Sequence, residues 1–303
     1  MAEPFRMTPV YDVLLRGSDR VPVGLYHLQL ARAEQLCRLH YSLASITTIK
    51  ARLKTLTEHG YVLADAIPTK TGRSPYYYTL GPKGMKYLEG LGYDTHDAWR
   101  PNKELDKGYI HLEHTLELND VLIAAALIHQ VDPSYHLSRF DHERMLKRRP
   151  VQVSWRTQVA QGGKSTMASL IPDAFLDFRR SLPDGSQRRL ALLIEHDRGT
   201  EDQHHFRRRI RAYITLLRSE QYKELFGVKA ITVAFSTFVG PQRLEQMRAW
   251  TRAELTETNE PSQIGLMFCF ASLSRPLDPK QVWFEPCWYA PYDTARGMAL
   301  LAA

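Results

Sequence analysis

The sequence predicts a mixed α/β chain (α+β overall) of two domains, and three observations carry that prediction. The chain has 303 residues, roughly twice the common size of one domain. Its apolar residues recur at helical spacing in some windows and as short unbroken runs in others. A polar, aperiodic stretch separates the first hundred residues from the rest. Hydrophobic residues make up 44% and charged residues 24%, the balance of an ordinary globular chain. No run approaches the roughly 18 uninterrupted apolar residues of a membrane span, so no membrane partner is expected. The opening MAEPFRMTPV lacks the apolar stretch of a signal peptide. Cys37, Cys269 and Cys287 are far apart and odd in number, which argues against a disulfide framework or a zinc site and points to the reducing cytoplasm. The net charge of +7 favours a polyanionic partner, because cations that neutralise phosphates release counterions.

The first domain is expected over residues 1–95. Val23 to Leu39 reads as helix, with Leu25, Leu28, Leu36 and Leu39 at helical spacing, and Ala31–Leu39 as the first helix of a helix-turn-helix. After a break near His40, a second helix carries Ile46, Ile49, Leu53 and Leu56 on one apolar stripe. Gly60 is its expected C′ residue. Ser45, Thr47, Thr48, Lys50 and Lys54 lie mostly off that stripe. Hydroxyls and cations on such a helix suit a DNA major groove, while a solvated surface face is the alternative. Tyr61–Asp65 and Tyr76–Leu80 read as strands around the turn-rich AIPTKTGRSP, which carries Lys70 and Arg73 near its tip. A short helix begins at GPKGMKYLEG. The order helix, helix, basic hairpin, helix resembles the winged-helix domains of bacterial regulators and their pattern LxxLxxxGYV…YYLTxxG. The matching residues are Leu53, Leu56, Gly60, Tyr61, Val62, Tyr77, Tyr78, Thr79, Leu80 and Gly84. That resemblance implies binding to double-stranded DNA through Ser45, Thr47, Thr48, Lys50, Lys54, Lys70 and Arg73.

Residues 96–108 form the expected linker and 109–303 the second domain. Residues 109–130 read as a long helix, and SYHLSRFDHERML as a strand followed by a basic strand or loop. Leu170–Phe178 and Arg189–His196 read as strands joined through Asp184-Gly185, a strong hairpin signal. The second is continuously apolar and therefore central. Thr200 is the expected N-cap of the next helix. A strand over Val228–Phe235, a helix over Pro241–Leu255 and a strand over Gly265–Ala271 complete an α/β layer pattern. Gly162 to Thr166 (GGKST) lacks the earlier glycine of a phosphate-binding loop and reads as a flexible turn. His204 and His205 are neighbours on a helix and cannot share one face, so zinc is not expected there.

Asp173 stands at the start of one hairpin strand, with Glu195 and Asp197 at the end of the other. Residues two apart on a strand share a face, so these carboxylates are expected together and could hold Mg²⁺ through oxygen. Such an ion activates water against a phosphodiester. A carboxylate on the preceding helix, Glu117 or Asp120, could complete the site. The alternative is that Glu195 and Asp197 end the strand and pair with the Arg-rich helix (RRRIR). The Pro-Asp, hairpin and Glu-x-Asp order resembles the PD-(D/E)xK nucleases, with Asp173 as the first acid and Glu195 as the second. This chain has Asp197 where those enzymes carry a lysine. Arg208, Arg209 and Arg211 on the next helix hold their protons too firmly to serve as a base, although they can stabilise phosphate charge.

Across its length the chain resembles the replication-relaxation proteins of plasmids and integrative elements. The residues that carry this are His114, Leu116, Asn119 and Asp120, then Pro172 and Asp173, then Glu195, Asp197, Arg198, Gly199 and Thr200. The resemblance implies a winged helix followed by a restriction-endonuclease-like domain. It also implies a role in the replication, relaxation, mobilisation or transcriptional control of a mobile element, with the element's replication or transfer proteins as partners. Two readings stay open: a DNA binder whose second domain is inactive, and a Mg²⁺-dependent endonuclease or nickase with Asp173, Glu195 and Asp197 as its catalytic acids. The sequence also leaves open a homo-oligomer.

Overall fold

Leu25, Leu28, Leu36 and Leu39 are all buried, but they do not share one helix. The computed structural model describes residues 20–68, 74–95, 108–157, 164–260, 262–292 and 296–302. Helix α1 (Arg20–Leu28) stops at Gln29, whose φ of 64° leaves the helical region. A three-residue strand, β1 (Leu30–Arg32), follows before α2 (Ala33–His40) begins. The continuous helix expected over Val23–Leu39 is therefore broken. The break costs no orphaned backbone at this point, because Thr79 Oγ1 donates to the Gln29 carbonyl (2.7 Å) and Asn119 Nδ2 donates to the carbonyls of Leu28 (3.0 Å) and Leu30 (2.6 Å). Leucine spacing alone cannot register such an interruption.

Helix α3 (Ile46–Glu58) buries Ile49 and Leu53 and ends at His59, after which Gly60 takes φ 75°. Strands β2 (Val62–Ala66) and β3 (Tyr76–Leu80) pair antiparallel, with Val62 opposite Leu80 and Ala66 opposite Tyr76. β1 adds to the free side of β3, so the sheet order is β1-β3-β2. Helix α4 (Pro82–Gly90) then crosses close to the α3–β2 turn: a Cβ on Gly84 would lie 2.2 Å from the Tyr61 carbonyl oxygen. That approach explains the glycine at position 84, while the left-handed φ explains Gly60.

Two compact units result, divided after Leu127, with Leu137–Phe140 also grouped with the first. The long helix α5 (Tyr109–Ala126), expected in the second domain, is grouped with the first unit. Its Leu112 and Leu116 join Leu30, Ile67 and Tyr77 in one apolar cluster. Gln35 Nε2 donates to the Leu116 carbonyl (2.7 Å) and to Asp120 Oδ1 (2.9 Å). Asn119 and Asp120, read as part of a motif, thus fasten α5 to the elements before it.

The second unit is built on one mixed sheet. Strands β7 (Ala174–Ser181) and β8 (Gln187–Asp197) form the expected hairpin, with Gly185 at φ 80° in its turn. β9 (Thr232–Thr237) runs parallel to β8, and β10 (Phe268–Ser272) parallel to β9. The order is β10-β9-β8-β7, followed at the edge by β4 (Tyr135–His142), whose two ends belong to this unit. The short helix α6 (Glu143–Leu146) leads from β4 into a two-stranded ribbon, β5 (Val151–Thr157) and β6 (Lys164–Leu170). The sequence does not read as this ribbon: GGKST was expected as a turn, yet Lys164–Thr166 lie in β6.

Helix α7 (Gln203–Ser219) places Phe206, Ile210, Tyr213 and Leu217 on the core, a 3–4 spacing that keeps one stripe against the sheet. Burying each such side chain contributes about 1.5–3 kcal/mol. Asp202 caps this helix by accepting the His205 N–H (2.9 Å), where Thr200 was expected to do so. The short α8 (Tyr222–Phe226) precedes β9, and α9 (Pro241–Glu257) and α10 (Ser262–Gly265) precede β10. α11 (Pro279–Trp283) contributes Trp283, which stacks on Trp288 in the interior. Among the described residues no helix is long and apolar enough to cross a membrane.

Candidate functional site

Two sets of residues were expected to carry function. The first lies at the C-terminal end of β8, the central strand of the second unit. Its register sets Glu195 against Phe235, His196 against Ser236 and Asp197 against Thr237 on β9. Glu195 and Asp197 are 2% and 4% exposed, so their charges need partners within the protein. Each has an arginine. Glu195 Oε2 accepts from Arg209 Nη1 (2.7 Å), and Glu195 Oε1 accepts the Tyr213 hydroxyl. Asp197 is gripped by both edges of one guanidinium: Arg243 Nε donates to Oδ1 (2.7 Å) and Nη2 to Oδ2 (2.8 Å). The Gly199 N–H also donates to Asp197 Oδ1 (2.8 Å). Asp173 accepts the His196 backbone N–H on Oδ2 (2.8 Å), so it closes the end of the hairpin.

Arg209 is the centre of this arrangement. Its Nη2 also donates to Glu201, and its guanidinium lies 5.5 Å from the ring centre of Phe206 and 5.6 Å from that of Phe235. Burial works against its charge, but Glu195, Glu201 and Asp173 outweigh burial and hold the guanidinium above its ordinary range. Burial, reinforced by the Glu195 charge, raises the Tyr213 phenol well above its usual value, so it stays protonated and donates. Burial also raises the Glu201 carboxyl, against the opposing pull of Arg209. Arg243 holds Asp197 and the Glu201 carbonyl (2.9 Å) while stacking 4.9 Å from the Trp250 ring centre.

This geometry bears directly on the expected Mg²⁺. Both oxygens of Glu195 and both of Asp197 already accept hydrogen bonds, four of them in total from Arg209, Tyr213 and Arg243. Among the described residues, no group of three His, Cys, Asp or Glu side chains gathers as a metal site. Asp120, offered as a further ligand, belongs to the other unit, where it accepts from Gln35 and lies 3.8 Å from Arg38. The residues as arranged do not fit a divalent cation, and the charge beside Glu195 is a guanidinium. The expectation that Glu195 pairs with the Arg-rich helix matches the contact with Arg209. Asp197 pairs instead with Arg243 on α9, a residue with no motif to mark it.

The second set lies on α3. Thr47, Lys50, Ala51, Lys54, Thr55 and Glu58 are all exposed and recur at the spacing of one helix face, with Thr48 exposed beside them. Ser45 is half-buried at the N-cap, its hydroxyl 3.4 Å from that of Ser42. Lys50 meets Glu34 at 3.2 Å and Lys54 meets Glu58 at 3.9 Å. All four side chains are more than half exposed, so these pairs are weak and exchangeable. Lys70 and Arg73 lie outside the described residues.

A family model described as replication-relaxation matches residues 24–229 of this chain. No curated protein matches the chain.

Proposed function

The chain belongs to the replication-relaxation family, and from that premise we propose that it binds double-stranded DNA of a mobile element through a winged helix in its first unit. In this reading α3 enters the major groove with Thr47, Thr48 and Lys50 toward the bases. Lys54, with Lys70 and Arg73 of the wing, meets phosphates. The observation that carries it is the exposed, hydroxyl- and lysine-bearing stripe of α3, whose only described ion pairs are solvent-exposed. Breaking such pairs costs at most about 1 kcal/mol each, which contact with phosphate readily offsets. The order α2, α3, paired β2 and β3, α4 supports the winged-helix reading. The second unit is read as a nuclease-like scaffold without catalysis, supported by the arginines that occupy Glu195 and Asp197.

The test is fluorescence anisotropy of a mixed-sequence duplex against the full chain at several salt concentrations. Replacing Lys50 and Lys54 together by glutamate is expected to weaken binding about tenfold or more, and to lower the slope of log K against log salt by about 2. Unchanged affinity and slope in a variant of unchanged Tm would overturn the assignment of α3.

A further inference from the structure

A groove of about 920 Å³ lies in the second unit between the β5–β6 ribbon and α7, away from the β8 acids. Its walls differ in kind. The ribbon side presents Trp155, half-buried against the core and directly opposite Thr166, while Met167, next along and 70% exposed, stands on the other face of the ribbon. The helix side presents Arg207, Arg208 and Arg211. Arg207 and Arg211 are one turn apart, and Glu254 and Glu257 face them from α9. Arg207 Nε donates to Glu254 Oε2 (2.9 Å) and Arg211 Nη2 to Glu257 Oε1 (2.7 Å). Arg207 also donates to Glu257, and Arg211 to Glu254, so the four side chains close a ring.

The ring holds two guanidiniums in fixed orientation without using them up. Each has five N–H donors, and two per arginine are engaged. Arg208 is exposed and makes no ion pair among the described residues. Three arginines against two glutamates leave the groove cationic, with His204 at its rim. Planar donors in a fixed fork match phosphate oxygens. An aromatic ring in the wall of such a groove matches the face of an unstacked base. A duplex exposes phosphates but no base faces, and an acidic peptide has no use for the ring.

We infer that this groove is a second nucleic-acid site, one that takes single-stranded DNA, with its backbone on Arg207, Arg208 and Arg211 and a base against Trp155. The site is independent of the α3 reading, since it uses no residue of the first unit. The experiment measures binding of the full chain to a fluorescent oligothymidylate of about ten nucleotides and, separately, to a duplex of the same length. Arg208→Glu is expected to weaken oligothymidylate binding about tenfold while leaving duplex binding unchanged, and the Lys50/Lys54 glutamate variant is expected to do the reverse. His204→Glu provides a second surface substitution with the same expected direction. Unchanged oligothymidylate affinity in both, at unchanged Tm, would overturn the site. So would equal loss of duplex and single-strand binding in Arg208→Glu, or competition by poly-glutamate as strong as by unlabelled oligothymidylate.

Discussion

The face of α3 and the end of β8 hold the same kinds of residue, carboxylates beside basic side chains, and put them to opposite uses. On α3 the charges are exposed, the pairs Lys50–Glu34 and Lys54–Glu58 are loose, and a polyanion can displace the glutamates. At the end of β8 the charges are buried, and Asp197 and Arg243 meet through two parallel hydrogen bonds with side chains only 2% and 6% exposed. A buried pair cannot trade its partner for a ligand without leaving a charge unsolvated. The same kinds of residue therefore leave an open, exchangeable surface in one unit and a strut in the other, and burial is what separates them.

The sharpest way to break that contrast is Arg243→Ala. It strands the Asp197 carboxylate in the interior and is expected to cost about 3–5 kcal/mol in denaturant unfolding of the second unit. Replacing both partners by apolar residues, Asp197→Leu with Arg243→Met, is expected to recover most of that loss, since neither charge then remains buried. A cost near zero for the single substitution would mean that the pair is not structural.

A smaller effect tests the grouping of α5 with the first unit. Asn119→Ala leaves the Leu28 and Leu30 carbonyls without their donor, at an expected cost of about 1–3 kcal/mol. The loss should appear as faster hydrogen exchange in α1, β1 and α2 and leave the amides of β8 and β9 protected. Faster exchange confined to β8 and β9 would reverse the grouping.

The smallest expected effect is that of Mg²⁺. An ion at a hundred times its Kd stabilises a protein by about 2.7 kcal/mol, enough to see as a rise in Tm. With the Glu195 and Asp197 oxygens engaged by arginine and tyrosine, millimolar Mg²⁺ or Mn²⁺ is expected to leave Tm unchanged and supercoiled plasmid intact. Nicking that disappears in Glu195→Ala would restore the endonuclease reading and end the contrast between the two units.

Much of this was legible in advance because local chemistry wrote it. The β7–β8 hairpin followed from Asp184-Gly185 and two apolar runs, and α3 followed from Ile49 and Leu53 at helical spacing, with Gly60 just past its end. The break at Gln29 was not legible, because its stabilising bonds come from Thr79 and Asn119, 50 and about 90 positions away. The β5–β6 ribbon is not legible as a pair: Val151, Val153 and Trp155 alternate with polar residues in β5, but its partner β6 (KSTMASL) shows no such alternation and follows text that reads as a turn. Of the acid cluster, Asp173, Glu195 and Asp197 stand out in the sequence, while Arg243 and Tyr213 carry no local mark, and neither do Glu254 and Glu257 of the separate groove.

The sequence by itself determined the mixed α/β class, most of the regular elements and the family, because periodicity, turn chemistry and short motifs are properties of neighbouring residues. It also placed the acids on one strand end. Only the tertiary structure decided what those acids meet. Arg209 reaches Glu195 across 14 positions and Arg243 reaches Asp197 across 46. A carboxylate's chemistry depends on which charge stands within about 3 Å of it, and chain spacing does not encode that distance.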